Sequence, residues 1–253
     1  MTQIIVALDV DSVKKQEDLL KALRGTIVWY KVGLQLFTAH GKRAVDIVQR
    51  HGGKVFLDLK LHDIPQTVAH AVREAQRLGV DAVSFHLLGG SDMLHAAAEV
   101  MPRPKLWGVT VLTSMGPKDV NIFSPSAKIP SLVRSLAKQG WVGGADATIC
   151  SPREVGMLKK AFPHLDMKFV TPGIRPKGAA LNDQTRVMTP GEAAKLGIDF
   201  VVIGRPITHA SDPRKAALDI LAEMKAAAPK SLDKNEVVHS TSNVENAGDK
   251  SRG

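Results

Sequence analysis

Short apolar runs alternate with stretches of helical hydrophobic spacing from residue 4 to about residue 228. A run of about four to eight apolar residues rich in β-branched side chains is typical of a buried strand, whereas apolar residues three or four positions apart form one face of a helix. The pattern predicts eight strands, at residues 4–8, 27–32, 55–59, 82–86, 106–112, 147–150, 169–171 and 200–203.

The stretches between these runs carry helix signals. Val68, Val72 and Ala75 form one apolar stripe, and Pro65 stands near its first helical position. The last helix is predicted from residue 213 to about residue 228. Glycines are expected to end helices before the next strand at Gly79, Gly140 and Gly197.

Eight strands that alternate with helices predict an α/β fold of the (β/α)8, or TIM-barrel, type, in a single domain at residues 1–228. The rival arrangement is a doubly wound open sheet, which more often carries a glycine-rich turn after its first strand. Here Asp9-Val10-Asp11-Ser12 follows the first strand instead. Residues 229–253 are polar and lack an apolar period, so we expect them to form a disordered tail.

The chain is basic, with a net charge of +9 and a pI of about 9.7. A basic protein attracts nucleic acid or a small anionic ligand. Binding to a nucleic-acid strand favours a basic stripe with interleaved aromatic side chains. Aromatic residues make up only 4% of this chain and its basic residues are scattered, so we expect a small anionic ligand and no nucleic-acid partner.

Three features bear on location. The single cysteine, Cys150, excludes an internal disulfide, suits a reducing compartment and is interpreted as a buried small residue. No apolar run reaches the roughly 20 residues needed to span a bilayer. The first residues lead into a strand without a signal-peptide pattern. We therefore expect a soluble cytoplasmic protein with no membrane partner.

Polar side chains gather where the predicted strands end. In a (β/α)8 barrel, the chemistry lies at the carboxyl ends of the strands, and the strand starts here carry little that is reactive. The mixture of charges predicts that this face binds an ionic ligand. His62 and His86 are interpreted mainly as structural or supporting groups. The side chains at the strand ends are Asp9, Lys31, Asp58, Lys60, Asp63, Ser84, His86, Thr113, Ser114, Arg175 and Arg205.

The charged cluster after the third strand has three interpretations. Asp58 and Lys60 are two positions apart, so on a strand they point the same way and could form a structural ion pair. Three aspartates, at positions 9, 58 and 63, could instead bind Mg²⁺, although Lys60 already places a positive charge between two of them. The third interpretation, a bound ligand that compensates the cluster, is favoured because Lys31 adds a further charge.

The loops after the last two strands predict a phosphate site, which is common at this place in such barrels. Gly173 and Gly204 allow a ligand to approach the backbone, and Arg175 and Arg205 each offer a planar fork to phosphate oxygens. The alternative is that these are ordinary turns with solvated arginines. This alternative is less favoured because two Gly–Arg pairs occur on adjacent loops. The long loop at residues 176–189 is expected to close over the phosphate.

An ordered set of motifs over residues 4 to about 225 resembles the bacterial type of the orotidine 5′-phosphate decarboxylase family. A lone Asp-x-Lys-x-x-Asp also occurs in sugar-phosphate relatives, whereas the ordered set is specific. The motifs are Leu8-Asp9, Lys31-Val32-Gly33, Asp58-x-Lys60-x-x-Asp63-Ile64-Pro65, Val111-Leu112-Thr113-Ser114, Pro172-Gly173-Ile174-Arg175, Asp183-Gln184-x-Arg186 and Ile203-Gly204-Arg205-Pro206-Ile207.

The resemblance implies a barrel that works as a homodimer and converts orotidine 5′-monophosphate to UMP and carbon dioxide, the last step of pyrimidine synthesis. It also implies that the enzyme uses no metal and no organic cofactor. Lys60 would donate a proton to C6 of the base, and Asp58 would face the departing carboxylate. Asp63, with Thr67, would complete the site of the partner subunit.

The same resemblance implies the substrate-binding positions: Asp9 and Lys31 at the ribose, Thr113 at the pyrimidine, and Arg175, Gln184, Gly204 and Arg205 at the phosphate and its lid. Two alternative functions stay open. One is a Mg²⁺-dependent sugar-phosphate decarboxylase or aldolase on the same scaffold, and the other is a non-catalytic nucleotide-binding protein.

Overall fold

The computed structural model describes residues 1–122, 125–177 and 187–229, and within them eight parallel strands close into a barrel. Each strand pairs with the next along the chain, and the first pairs with the last, so the predicted (β/α)8 fold is confirmed. The strands are β1 (Gln3–Ala7), β2 (Trp29–Gly33), β3 (Lys54–Leu61), β4 (Ala82–His86), β5 (Lys105–Val109), β6 (Ala147–Ile149), β7 (Phe169–Thr171) and β8 (Phe200–Ile203).

Helices connect the strands and cover the outside of the barrel. They are α1 (Val13–Ala22), α2 (Leu34–His40), α3 (Lys42–Arg50), α4 (Pro65–Arg77), α5 (Gly90–Ala98), α6 (Pro117–Asn121), α7 (Ile129–Val142), α8 (Pro152–Ala161), α9 (Pro190–Lys195), α10 (Arg205–Thr208) and α11 (Pro213–Ala227). A short 3₁₀ turn at Leu87–Gly89 precedes α5.

The predicted helix boundaries hold at most of the named positions. Pro65 is the first residue of α4, and Gly79 and Gly197 follow helices with φ of 69° and 64°, a conformation that favours glycine. The prediction for Gly140 is wrong, because α7 continues to Val142. A Cβ atom at Gly140 would lie 2.9 Å from the Leu87 side chain. The glycine therefore lets α7 pack closely against Leu87 and does not end the helix.

Strand β5 is shorter than predicted. It ends at Val109, and the apolar residues that follow serve other purposes. Val111 is buried and Leu112 lines a cavity at the barrel top. The predicted strand was too long because the apolar residues continue beyond Val109, the last residue of β5 that pairs with its neighbouring strands.

Aromatic side chains fill the barrel interior and form a floor. Trp107 packs against three rings, with centroid distances of 4.4 Å to Phe56, 5.1 Å to Phe200 and 5.5 Å to Trp29. Trp29 also meets Phe200 edge-on at 5.4 Å. These side chains belong to an interior cluster that is separate from the larger core between the strands and the helices. The floor closes the barrel below the strand ends, so a ligand has access only to the layer above it.

Three aspartates reinforce the opposite end of the barrel. Asp81, Asp146 and Asp199 each stand just before an even-numbered strand. Their carboxylates accept the backbone N–H groups of Val55, Leu106 and Phe169, on the preceding odd-numbered strands, at 2.8, 2.7 and 2.9 Å. These contacts tie neighbouring strands together where the ladders begin, away from the site.

Two predictions fall on residues outside the described part of the chain. One is the tail, all of which except Pro229 lies there, and the other is the middle of the 176–189 loop, which includes Gln184. Within the described residues, no helix combines the length and apolar character that crossing a membrane requires.

Candidate active site

The residues directly above the aromatic floor are polar on three neighbouring strands. Side chains two positions apart on a strand point the same way, so Lys31 follows Trp29, Asp58 follows Phe56, and Ser84 stands two positions after Ala82. The register of β2, β3 and β4 brings these strand ends side by side. The sequence therefore encodes an apolar floor and a charged layer on it within a few residues of each strand.

Strand β3 is irregular where it enters this layer. Leu57 pairs with Val83 and Leu61 pairs with Phe85, so three residues of β3 oppose one residue of β4. Lys60 has φ of 52° and is, among the described residues, the one non-glycine residue with positive φ. This left-handed backbone costs roughly 1–2 kcal/mol in a residue with a side chain. Strain of this kind is often found at functional sites.

Four charged side chains form an alternating chain in this layer. The Lys31 Nζ lies 2.8 Å from Asp9 Oδ1 and 3.6 Å from Asp58 Oδ2. The Lys60 Nζ lies 2.9 Å from each carboxylate oxygen of Asp58. The predicted cluster therefore forms with four members, and its two negative and two positive charges balance.

Burial differs along this chain of charges. The side chains of Lys31 and Asp58 are only 12% and 10% exposed, whereas that of Lys60 is 31% exposed. The side chain of Asp9, at the other end, is 54% exposed. The two outer members, Asp9 and Lys60, are therefore the ones that a ligand can reach most directly, and Lys31 and Asp58 lie behind them.

The surroundings keep both inner groups charged at neutral pH. Burial alone would raise the pKa of Asp58, but the charges of Lys31 and Lys60 and the hydrogen bonds from Lys60 and Ser84 outweigh it and hold that pKa below its usual range. Burial alone would lower the pKa of Lys31, but Asp58 and Asp9 outweigh it and raise that pKa.

Gly33 makes room for the outer ion pair. A Cβ atom at this position would lie 2.7 Å from Lys31 Nζ and 3.2 Å from Asp9 Oδ1. A side chain at position 33 would therefore displace the lysine from its aspartate. The glycine of the Lys31-Val32-Gly33 motif has a spatial reason that the sequence alone does not show.

Two adjoining cavities open onto the charged layer and share Lys31, Pro172 and Val202. The smaller cavity, of about 210 Å³, contains Asp58, Lys60 and Thr113 on a largely apolar wall. Its apolar lining includes Phe56, Val109, Val111, Leu112, Ile149, Cys150 and Val170. We call it the reaction pocket. Apolar walls around a few charges keep water away and strengthen the electrostatic interactions of those charges.

The larger cavity, of about 680 Å³, leads from Asp9 and Lys31 to the loops after β7 and β8. Its far end is lined by Gly173, Arg175, Gly204 and Arg205, the four residues predicted to hold a phosphate. Thr208 and His209 also line it and were not predicted. The cavity thus joins an alternating ion-pair chain to a basic end, which fits a ligand with a sugar and a phosphate.

Backbone hydrogen bonds join the two ends of the loop after β7, on either side of residues 178–186. Ile174 forms a parallel bridge with Met188, the Arg175 N–H donates to the Met188 carbonyl at 3.0 Å, and the Met188 N–H donates to the Gly173 carbonyl at 3.2 Å. Gly173 has φ of 78°, which suits glycine. The buried Arg175 guanidinium donates to the Ile174 carbonyl at 3.0 Å. The arginine is therefore positioned by its own loop.

Asp63 and Thr67 lie apart from the site within one subunit. Both are exposed, and neither lines the reaction pocket or the larger cavity. The Asp63 carboxylate accepts the Ile64 N–H at 2.7 Å. Asp63, the second aspartate of the Asp-x-Lys-x-x-Asp motif, is thus not part of the charged layer of its own subunit.

The remaining candidates lie at the edges of the site. Cys150 is buried, as predicted, and also lines the reaction pocket. The rings of His62 and His86 are 5.4 Å apart between centroids, beside β3 and β4. Burial lowers the pKa of His86, and the nearby charges of His62 and Lys60 lower it further against the opposing effect of Asp58. No role was predicted for Ser84, although its place two residues after the inward-facing Ala82 indicates that its side chain also faces inward.

The comparisons with known proteins agree with this geometry. Residues 2–220 match the model of the family described as orotidine 5′-phosphate decarboxylase / HUMPS. Relatives named orotidine 5′-phosphate decarboxylase include one from Syntrophotalea carbinolica, 45% identical over 89% of this chain and 96% of the relative, and one from Opitutus terrae, 47% identical over 88% and 98%. A crystal structure of orotidine 5′-phosphate decarboxylase from Lactobacillus acidophilus is similar, with a TM-score of 0.77 and 37% identity over 88% of this chain and 99% of that one.

Proposed function

The chain belongs to the orotidine 5′-phosphate decarboxylase / HUMPS family, and from this premise we propose how it decarboxylates orotidine 5′-monophosphate to UMP and carbon dioxide. The observation that carries the proposal is the Lys60 ammonium, which is held by Asp58 at the edge of an apolar pocket. A pocket of this kind suits a flat base, and the adjoining larger cavity suits a ribose with its phosphate.

Loss of carbon dioxide from C6 of the base leaves a carbanion that no ring carbonyl can stabilise by simple conjugation. Stabilisation must then come from a positive charge that is already in place. In our proposal, Lys60 supplies this charge beside C6 and then delivers its proton to that carbon. Asp58 faces the substrate carboxylate and fixes the lysine, and the repulsion between the two carboxylates is relieved as carbon dioxide leaves.

The other predicted residues bind the rest of the nucleotide in this proposal. Asp9 and Lys31 hold the ribose hydroxyls, and Thr113 contacts the pyrimidine. The phosphate is gripped by the residues after β7 and β8 together with Gln184, and its binding energy helps to assemble the site. The residues of this grip are Arg175, Gln184, Gly204 and Arg205. Arg175, Gly204 and Arg205 are supported by the larger cavity, which they line together with Asp9 and Lys31. Gln184 lies outside the described residues, and its role rests on the family resemblance.

We also propose that two subunits form a homodimer in which Asp63 and Thr67 of one complete the site of the other. Two observations support this. Asp63 and Thr67 are exposed within one subunit and line neither of its two cavities. Large apolar side chains are exposed beside them at the carboxyl ends of neighbouring strands: Leu34, Ile64 and Leu88 are 56%, 67% and 46% exposed. A second copy would bury them.

The deciding experiment follows the ultraviolet absorbance of orotidine 5′-monophosphate as the enzyme consumes it. We expect turnover to UMP and carbon dioxide, with no metal or organic cofactor added. Treatment with EDTA should leave the rate unchanged, whereas a rate that disappears with EDTA and returns with Mg²⁺ would favour the sugar-phosphate alternative. Binding of UMP without turnover of the substrate would favour the non-catalytic alternative. We propose a cytoplasmic location, for which the lone Cys150 is the support.

A further inference from the structure

Ser84 is a fully buried hydroxyl that none of the roles above uses. Its Oγ accepts the backbone N–H of Lys60 at 2.9 Å and donates to Asp58 Oδ1 at 2.8 Å. One hydroxyl therefore joins the backbone of the proton donor to the carboxylate that holds the donor's ammonium. Both of its hydrogen bonds go to the two residues at the centre of the site.

The bulge in β3 explains why the Lys60 N–H is bonded by the Ser84 side chain. Three residues of β3, from Asp58 to Lys60, oppose Ser84 alone on β4. On its other side, Ser84 keeps the regular ladder and pairs with Trp107 of β5. The regular pairing of β4 with β5 thus holds Ser84 in place. On the side of the irregular β3–β4 pair, its hydroxyl accepts the Lys60 N–H, which has no acceptor in the backbone ladder there.

We propose that Ser84 is a positioning residue that closes the β3 bulge and sets the distance and orientation between Asp58 and Lys60. The inference rests on the proposed role of Lys60 as the proton donor. A serine hydroxyl has one proton to donate and lone pairs to accept with, and Ser84 uses both functions at once. Its donated hydrogen bond favours the ionised form of the carboxylate that holds the lysine.

Three substitutions separate the hydroxyl from its volume. Ser84→Ala removes the hydroxyl, Ser84→Cys fills the space with a group that is only a weak donor and acceptor, and Ser84→Thr keeps the hydroxyl. We expect kcat for orotidine 5′-monophosphate to fall by about 10- to 100-fold in the alanine and cysteine variants, the loss that one hydrogen bond to a charged group implies. The Kd of UMP should stay within about threefold of the wild-type value, because Ser84 lines neither of the two cavities that would hold the nucleotide.

The pH dependence gives a readout that a merely structural role would not move. Without the Ser84 donor the pKa of Asp58 rises, so the acid limb of kcat/KM should shift to higher pH in the alanine and cysteine variants. Ser84→Thr should keep the wild-type limb. The substrate phosphate titrates alike in every variant, so a difference between variants comes from the protein. Ser135→Ala, at an exposed serine on α7, is the matched control.

Two outcomes overturn the inference. One is a Ser84→Ala variant with wild-type kcat and an unmoved acid limb. The other is a loss of kcat that accompanies a lower Tm and leaves the acid limb in place, because this is the signature of a purely structural serine. Turnover by the wild-type enzyme is measured first. Its absence would remove the proposed function itself, whereas either outcome above in an active enzyme removes only the role of Ser84.

Discussion

The Lys60 ammonium lies at the same distance, 2.9 Å, from both carboxylate oxygens of Asp58. Such a contact holds the lysine against a carboxylate that is itself buried and fixed by Ser84 and Lys31. The group that would stabilise the carbanion is therefore in place before the substrate arrives. Charge placed in advance avoids the cost of rearranging it during the reaction.

Removal of the lysine should abolish catalysis but spare nucleotide binding. We expect Lys60→Ala to lower kcat by at least about 10³-fold, since a preorganised charge at the reacting atom is lost. UMP should still bind measurably by calorimetry, because the residues proposed to hold its phosphate remain. Lys105→Ala, at an exposed lysine at the start of β5, is the control and should retain activity. Near-normal turnover by Lys60→Ala would contradict the assignment of the proton donor.

The phosphate end of the larger cavity can be tested with two substrates. Arg205→Ala should lower kcat/KM for orotidine 5′-monophosphate by about 10- to 100-fold, the loss expected for hydrogen bonds to a charged group. For orotidine, which lacks the phosphate, the variant and the wild type should react at equal, low rates. Arg214→Ala, at an exposed arginine on α11, serves as the control. An equal loss with both substrates would place Arg205 away from the phosphate.

His86 predicts a dependence of stability on pH. Its pKa is lowered because the ring is half-buried and faces His62 and Lys60, an effect that Asp58 only partly offsets. The unfolded chain, with an ordinary histidine pKa of about 6.5, therefore binds more protons below that pH than the folded chain does. The contribution of His86 is complete above about pH 6.5 and is lost as the pH falls toward its lower folded pKa.

His86→Asn should therefore lose less stability than the wild type between pH 7.5 and pH 5. The measurement is the free energy of unfolding in urea at both pH values. His164→Asn, at an exposed histidine outside the strands, should behave like the wild type. Parallel losses in His86→Asn and the wild type would show that His86 does not contribute to the acid sensitivity.

The sequence predicts the barrel and the meeting of Asp58 and Lys60 because both follow from simple periods. Alternation of strands and helices predicts the fold, and a spacing of two places both side chains inside the barrel. The bulge at Lys60 could not be predicted, because residues 54–61 look like a regular strand and the extra residues are visible only against β4. The role of Gly140 was hidden for a similar reason, since its contact with Leu87 joins residues 53 positions apart.

The aspartates at the amino ends of the strands should contribute to stability and not to catalysis. Asp146 accepts the Leu106 N–H at 2.7 Å and forms an ion pair with Arg103 at 2.6 Å. We expect Asp146→Ala to lower the free energy of unfolding by about 1–2 kcal/mol, because a strand N–H and a guanidinium lose a charged acceptor. kcat should be unchanged at temperatures where the variant stays folded.

Asp219→Ala is the control for this prediction. It removes an exposed ion pair with Lys215 on α11, in which both side chains are more than half exposed, and such pairs contribute only about 0.3–0.5 kcal/mol. Chemical denaturation of both variants measures the difference. Equal effects of Asp146→Ala and Asp219→Ala would show that the contact between neighbouring strands adds nothing.

The proposed sharing of sites between subunits makes a prediction about mixtures. Asp63→Ala and Lys60→Ala should each be nearly inactive, because every site in either homodimer lacks one of the two groups. In a mixed dimer, one site lacks both groups and the other has both. Equal mixing of the two variants, with free exchange of subunits, should therefore restore about 25% of the wild-type activity. Two Lys60→Ala preparations mixed in the same way control for the effect of exchange. If the mixture stays inactive while mixed dimers are detected by mass spectrometry, Asp63 acts within its own subunit or not at all, and the shared site is wrong.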